Sequence, residues 1–210
     1  MFTKSAAVLS AGRSGSMLVF RNLAVAHYNL KEKSRILGWQ SDLSEFNSQR
    51  MIVHSHAKIK LDQFTDIRPV FSVRQNIHET LISHYISNWN QQWHLFSQNQ
   101  LPQRDMITVD FIALQQLIDK HLRWYQWYSP YLTDQSTVVV YEMLVDHLHQ
   151  PTSAYQEIYP NKHLLIANWA KTQKYLEKSI TDEFRQLHGN FTDYVIRPSR
   201  GIYRSAAGLA

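Results

Sequence analysis

Residues 6–18 read Ala6-Ala7-Val8-Leu9-Ser10-Ala11-Gly12-Arg13-Ser14-Gly15-Ser16-Met17-Leu18, and their reading decides the fold. A short run of small and branched apolar residues, Ala6 to Leu9, breaks at a Ser/Gly/Arg turn. An amphipathic pattern starts directly behind it: Val19, Leu23, Ala26 and Leu30 recur at spacings of four, three and four, which is one face of a helix. The pattern predicts strand, tight loop and helix, with the helix starting at Ser16. Two glycines let a backbone approach an anion closely, and a helix start offers N–H groups without intrahelical acceptors at the positive end of a dipole. The loop is a candidate phosphate cradle; Gly/Ser turns are also common as plain strand-to-helix connections. It is no Walker A loop, because the Gly-Lys-Ser/Thr ending that puts a lysine on the β/γ-phosphates and a hydroxyl on magnesium is missing.

The rest of the chain repeats the alternation. Arg35 to Trp39 is a weak strand, Ser41 to Gln49 a polar connection, and Met51 to His56 a better strand. Pro69 to Arg74 is nearly continuously apolar, as strands buried on both faces of a parallel sheet are. From Ile77 a long helix carries Leu81, Tyr85, Trp89 and Trp93 on one stripe; Phe111, Leu114, Ile118, Leu122 and Tyr125 mark another, ending near Ser129-Pro130. Thr137 to Tyr141 is the most emphatic strand. Leu165, Trp169, Thr172, Leu176 and Ile180 describe a late helix capped by Asn161, and the tail from Phe191 to Ala210 reads as irregular. Strands separated by helices predict an α/β domain, residues 1–210, with a mainly parallel central sheet flanked by helices.

Composition bounds the chemistry. The chain has 210 residues, 44% of them hydrophobic, enough for a continuous core. Its mean hydropathy of -0.38 suits a soluble protein. There is no cysteine, which excludes disulfides, cysteine nucleophiles and thiolate zinc sites. A net charge of +5 attracts anions of every kind, but no lysine or arginine block resembles a nucleic-acid arm, so no nucleic acid is expected as partner. Arg13 interrupts the first apolar stretch too early for a secretory signal, and no run approaches the ~20 residues of a membrane helix. The expected location is cytoplasmic.

Ligands of parallel sheets bind beyond the carboxyl ends of the strands. Arg13, His54, His56, Arg74 and Glu142 all fall at or just past such an end. Three of these regions together resemble the sulfotransferases that use 3′-phosphoadenosine 5′-phosphosulfate (PAPS). Gly12-Arg13-Ser14-Gly15-Ser16 looks like the family's 5′-phosphosulfate loop, in which Lys or Arg precedes Ser-Gly-Thr/Ser. Ser72-Val73-Arg74-Gln75-Asn76, continuing through a helix to Ser83, looks like its 3′-phosphate motif. Val140-Tyr141-Glu142-Met143-Leu144 is similar to the Val-x-Tyr-Glu-Asp/Glu-Leu element behind a core strand. The resemblance spans roughly Ala6 to Leu148, in the family's order, and implies a P-loop NTPase-like sulfotransferase architecture.

It also implies roles. Gly12, Arg13, Ser14, Gly15, Ser16 and Met17 would hold the 5′-phosphosulfate, Arg13 also neutralising charge as the S–O bond breaks, while Arg74 and Ser83 would hold the 3′-phosphate. His54-Ser55-His56 resembles a Lys-Thr-His segment whose histidine takes the acceptor proton, which puts His56 in the place of the base and His54 in that of the lysine, with Arg13 or Lys58 left to compensate. Ser199-Arg200-Gly201 resembles the family's Arg-Lys-Gly loop, so Arg200 would also bind the donor. No metal is expected, and the acceptor is a hydroxyl or amine on an unspecified small molecule or glycan. There are departures: Ser83 follows Arg74 by one position more than in many members, and the proline usual after the arginine is missing. The residues alone leave other readings open. His54 and His56 could be plain strand histidines, or a metal pair lacking a third ligand. Glu142 suits orienting a loop or backbone amide better than proton transfer. The aromatics Trp89, Trp93, Trp124, Trp127, Tyr128 and Tyr131 suit core packing better than an acceptor pocket. Two other functions compete: a P-loop nucleotide or small-molecule kinase, and a non-catalytic basic module for polyanions.

Overall fold

The computed structural model describes residues 5–20, 23, 52–64, 67–90, 106–133, 136–147 and 162–194. The strands are β1 (Ser5–Leu9), β2 (Ile52–Ser55), β3 (Ile67–Val73) and β4 (Thr137–Val140). The helices are α1 (residues 16–20, with 23 also helical), α2 (Ile77–Asn90), α3 (Phe111–Tyr128), α4 (Tyr141–His147), α5 (Lys162–Leu165), α6 (Trp169–Ser179) and α7 (Asp182–Tyr194). Every strand pairing is parallel, in the order β2-β1-β3-β4. The protein is thus α/β with a parallel central sheet.

β1 is buried at every position and paired on both edges, which accounts for its unbroken run of small and branched apolar residues. The chain reaches β2 on one side of β1 and β3 on the other. The strand order therefore reverses at β1, which makes its carboxyl end the switch point where such sheets open a crevice. Leu9 stands level with Ser55 and with Phe71, so Ser72 and Val73 extend beyond the end of β1. Pro69, which has no N–H to give, sits one position ahead of the first β3–β4 pair, Val70 with Thr137.

An aromatic core covers the β3 side of the sheet. Phe71 meets Phe191 of α7 edge to face at 5.2 Å and Tyr128 of α3 at 5.6 Å, geometry that adds to the area these rings bury. Tyr128 also fastens the chain behind β2: its hydroxyl donates to Ala57 O at 2.7 Å and accepts from Ile59 N at 2.9 Å. Among the described residues no helix is long and apolar enough to cross a membrane.

Several expectations need correction. The strand expected over Met51 to His56 stops at Ser55, between its two histidines, and the one expected to reach Tyr141 stops at Val140, with Tyr141 opening α4. The late helix is broken in two. Ile166 leaves the helical path to form a parallel bridge with Ile107, and the Asn168 amide clasps Val109, accepting from its N at 2.9 Å and donating to its O at 3.2 Å. The tail is not irregular at its start: α7 runs to Tyr194, and the Thr181 hydroxyl accepts from Phe184 N at 3.2 Å in its first turn. Trp89 is 60% exposed, although Leu81 and Tyr85 of the same stripe are buried. The expectations for Ala26, Leu30, Arg35–Trp39, Ser41–Gln49, Trp93, Asn161 and the arginines 197, 200 and 204 lie outside the described residues.

Asn168 makes two hydrogen bonds that align the Ile107–Ile166 bridge. Asn168→Ala is expected to cost about 2 kcal/mol of unfolding free energy, read by chemical denaturation; a loss within error of zero would mean that the bridge holds without the amide.

Candidate functional site

The loop from Ser10 to Ser16 leaves β1 through three residues with positive φ: Gly12 at 107°, Arg13 at 54° and Gly15 at 73°. Glycine is required at both of its positions for space as well as backbone. A Cβ on Gly12 would come within 2.7 Å of His84 Cε1, and one on Gly15 would run into the Tyr141 ring. Arg13 holds the left-handed conformation at a cost of ~1 kcal/mol, strain of a kind that concentrates at ligand sites. Gly15 O accepts from Val19 N at 3.1 Å and so caps α1. As the first helical residues, Ser16 and Met17 have N–H groups without intrahelical partners.

Serines anchor this loop to its neighbours. Ser10 N donates to Ser55 O at 3.2 Å, and Ser10 Oγ accepts from Gly12 N at 3.3 Å. Ser72 Oγ donates to Ser14 O at 2.9 Å, which it reaches because β3 outruns β1; Ser14 Oγ returns a bond to Ser72 Oγ at 3.3 Å. Ser16 Oγ lies 2.8 Å from His54 Nε2. The loop is tied to both strands that flank β1.

Arg13, by contrast, turns toward α2, where its Nε donates to Ser83 Oγ at 3.3 Å. Sequence reasoning had assigned these two residues to opposite ends of the donor. The structure joins them across 70 residues of sequence. Arg74 is 8% exposed and is held from the first turn of α4: its Nε lies 3.4 Å from Glu142 Oε1, and its guanidinium stacks 4.7 Å from the Tyr141 ring centroid. Glu142 Oε2 accepts from Gln75 N at 2.9 Å. This carboxylate therefore orients an arginine and a backbone amide, beside an open cleft of about 650 Å³ lined by Gln75, Asn76, Ile77, His78 and Glu142. From behind, the His188 imidazole donates its Nε2–H to Arg74 O at 2.8 Å.

His56, one residue past β2, remains beside His54, with ring centroids 4.7 Å apart and edge to face. Its Nδ1 is 3.0 Å from Ser10 O and 2.8 Å from Ser10 Oγ. A carbonyl oxygen only accepts whereas a hydroxyl can also donate, so the carbonyl contact is a hydrogen bond when Nδ1 carries the proton, the tautomer that leaves the lone pair on Nε2. Arg200 lies outside the described residues, and among the described residues no three His, Asp or Glu side chains cluster in a way that would hold a metal.

Beneath the loop is a feature that sequence reasoning missed. His84 of α2 and His121 of α3 face each other with Nδ1 and Nε2 2.8 Å apart. Burial, together with the His121 charge for His84 and the Lys120 charge for both, pushes His84 down to about 2 and His121 to about 3. Nothing in the local sequence pairs these two, which stand 37 residues apart on different helices. His188 is also lowered, by burial.

Because these histidines titrate near 6.5 when unfolded and far lower when folded, the unfolded chain binds more protons below that value. Stability from the pair is complete above about pH 6.5 and is lost progressively as pH falls toward the folded values. The thermal midpoint of the protein is expected to drop steadily between pH 7 and pH 5 and to be level above pH 7; a profile flat down to pH 5 would contradict a buried neutral pair. No protein-family model, curated protein or solved structure matches the chain.

Proposed function

We propose that the chain is a sulfotransferase of P-loop NTPase-like architecture that moves a sulfuryl group from PAPS to a hydroxyl or amine. The observation that carries the reading is the juxtaposition at the end of β1. A strained, glycine-dependent loop, an arginine turned toward α2 and the His56 imidazole all meet at the topological switch of a parallel sheet.

The residues present fit such a donor. Cβ atoms at 12 and 15 would occupy space that His84 and Tyr141 already fill, so these two positions take only glycine, whose bare backbone lets an anion approach closely. Ser10, Ser14 and Ser16 spend hydroxyl capacity on neighbouring strands, which leaves the amides from Arg13 to Met17 as the principal donors of the cradle. Arg13 places a charge beside Ser83 of α2, and Arg74, just past the end of β3, offers a second cation. When bound, PAPS supplies an activated sulfuryl group on a phosphate leaving group. The chain's part is positioning and charge stabilisation: loop amides and Arg13 bind and neutralise anionic oxygens, and His56 Nε2 accepts the proton of the attacking hydroxyl or amine. Ser10 O holds the Nδ1 proton and stabilises the imidazolium that forms.

Calorimetric titration with adenosine 3′,5′-bisphosphate (PAP) tests the donor site. Saturable binding is expected without magnesium, weakened about tenfold or more by Arg74→Ala. No binding by folded protein, or an unchanged affinity in the variant, would remove the assignment, and magnesium-dependent ATP binding would replace it with a kinase. For the base, His56→Ala is expected to lower sulfuryl transfer from labelled PAPS by roughly 10²- to 10⁴-fold while leaving bisphosphate affinity unchanged; transfer at the wild-type rate would take His56 out of the chemistry.

A further inference from the structure

His84 lies next to Ser83 on α2, buried against the loop. The Nδ1–Cε1–Nε2 edge of its ring faces Gly12: a Cβ built there would be 2.7 Å from Cε1, 3.1 Å from Nδ1 and 3.5 Å from Nε2. The ring is therefore part of the wall that shapes the anion cradle. His121, completely buried, stands on the other side and shares one proton with it across the 2.8 Å contact.

Which ring donates follows from the far side of His121. Its Nδ1 is buried and has no hydrogen-bond partner among the described residues. If His84 Nδ1–H donated to His121 Nε2, the neutral His121 would carry its own proton on Nδ1 and bury an N–H with no acceptor, a rare and costly state. In the reverse arrangement His121 Nε2–H donates to His84 Nδ1, and only a lone pair is left at the buried Nδ1. That arrangement has the lower cost. It places the single proton of neutral His84 on Nε2, on the ring edge that faces the loop.

We propose that His84, locked by His121 in the Nε2–H tautomer, is a neutral hydrogen-bond donor to the anion held by the Ser10–Ser16 loop. The inference rests on the reading of that loop as an anion cradle and adds a donor to it that no backbone amide supplies. A neutral donor suits the place. Arg13, Lys120 and His56 all act on His84 electrostatically, and a charged imidazole among them would oppose protonation of the base. Burial keeps both rings uncharged at neutral pH. His84 thus binds without titrating there.

The test is nitrogen-15 NMR of the full chain labelled at its 11 histidines, with the two signals assigned through His84→Gln and His121→Gln. Both rings are expected in the Nε2–H form, and the His84 Nε2–H signal is expected to shift saturably with inorganic pyrophosphate. Rings in the Nδ1–H form would overturn the inference. So would a His84 signal unmoved when calorimetry shows pyrophosphate bound, or the absence of pyrophosphate binding. A shift with pyrophosphate but no binding of adenosine 3′,5′-bisphosphate would uphold His84 and remove the sulfotransferase reading instead. Bisphosphate binding with a silent His84 would do the opposite. His84→Phe is expected to weaken pyrophosphate about tenfold or more, while His84→Gln, which keeps a neutral donor, stays within about threefold.

Discussion

The arrangement at the end of β1 depends on a steric constraint: the volumes that side chains at 12 and 15 would take are occupied by the rings of His84 and Tyr141. His84 arrives on the helix that follows β3, Tyr141 at the start of the helix that follows β4. The loop is thus wedged by elements that can be in place only when β1, β3 and β4 are paired in register. With β1 buried at every position, the chain has no alternative path out of the sheet, and positive φ at three loop residues is the result. The strain at Arg13 is paid for by the packing of the whole sheet around it.

Hydroxyls carry the second layer of this arrangement. Ser10 and Ser16 meet the residues at the end of β2, and Ser14 meets β3. The Ser16–His54 and Ser14–Ser72 contacts are between buried polar groups, where an unmade hydrogen bond costs more than a made one gains, and the Ser10–His56 contact is partly buried. Together they define the position of the loop relative to the two strands that bracket the switch point. They also separate roles by residue type. Serines brace, glycines admit the rings, and Arg13 points outward to α2.

How much of this was legible in the sequence follows from the range of the interactions. β1 and β4, and less completely β3, are visible as apolar runs because parallel strands buried on both faces need no alternation, and the Ser16 helix start is visible in local periodicity. The break at Ile166 is not, because a helical stripe runs through it and the competing bridge to Ile107 is 59 residues away, as is the Asn168–Val109 clasp that holds it. α7 carried a readable signal, Thr181 before Asp182-Glu183 with Phe184, His188 and Phe191 on one face, which the arginines of the following tail obscured. At the site, strand-end logic located Arg13, His56, Arg74 and Glu142. It could not find the His84–His121 contact or the bond of His188 to Arg74 O, 114 residues apart, since neither obeys a local period.

Two side chains at this end of the sheet could compete for the role of proton acceptor, and their hydrogen bonds separate them. Glu142 has one oxygen beside the Arg74 guanidinium and the other on the Gln75 amide. Both of its oxygens are thus committed to neighbours, one to an arginine and one to a backbone amide. His56 meets Ser10 through Nδ1, 2.8 Å from the hydroxyl and 3.0 Å from the carbonyl oxygen, and a proton on Nδ1 has that carbonyl to receive it. The carboxylate is a clamp, and the imidazole is the group from which a base can be made.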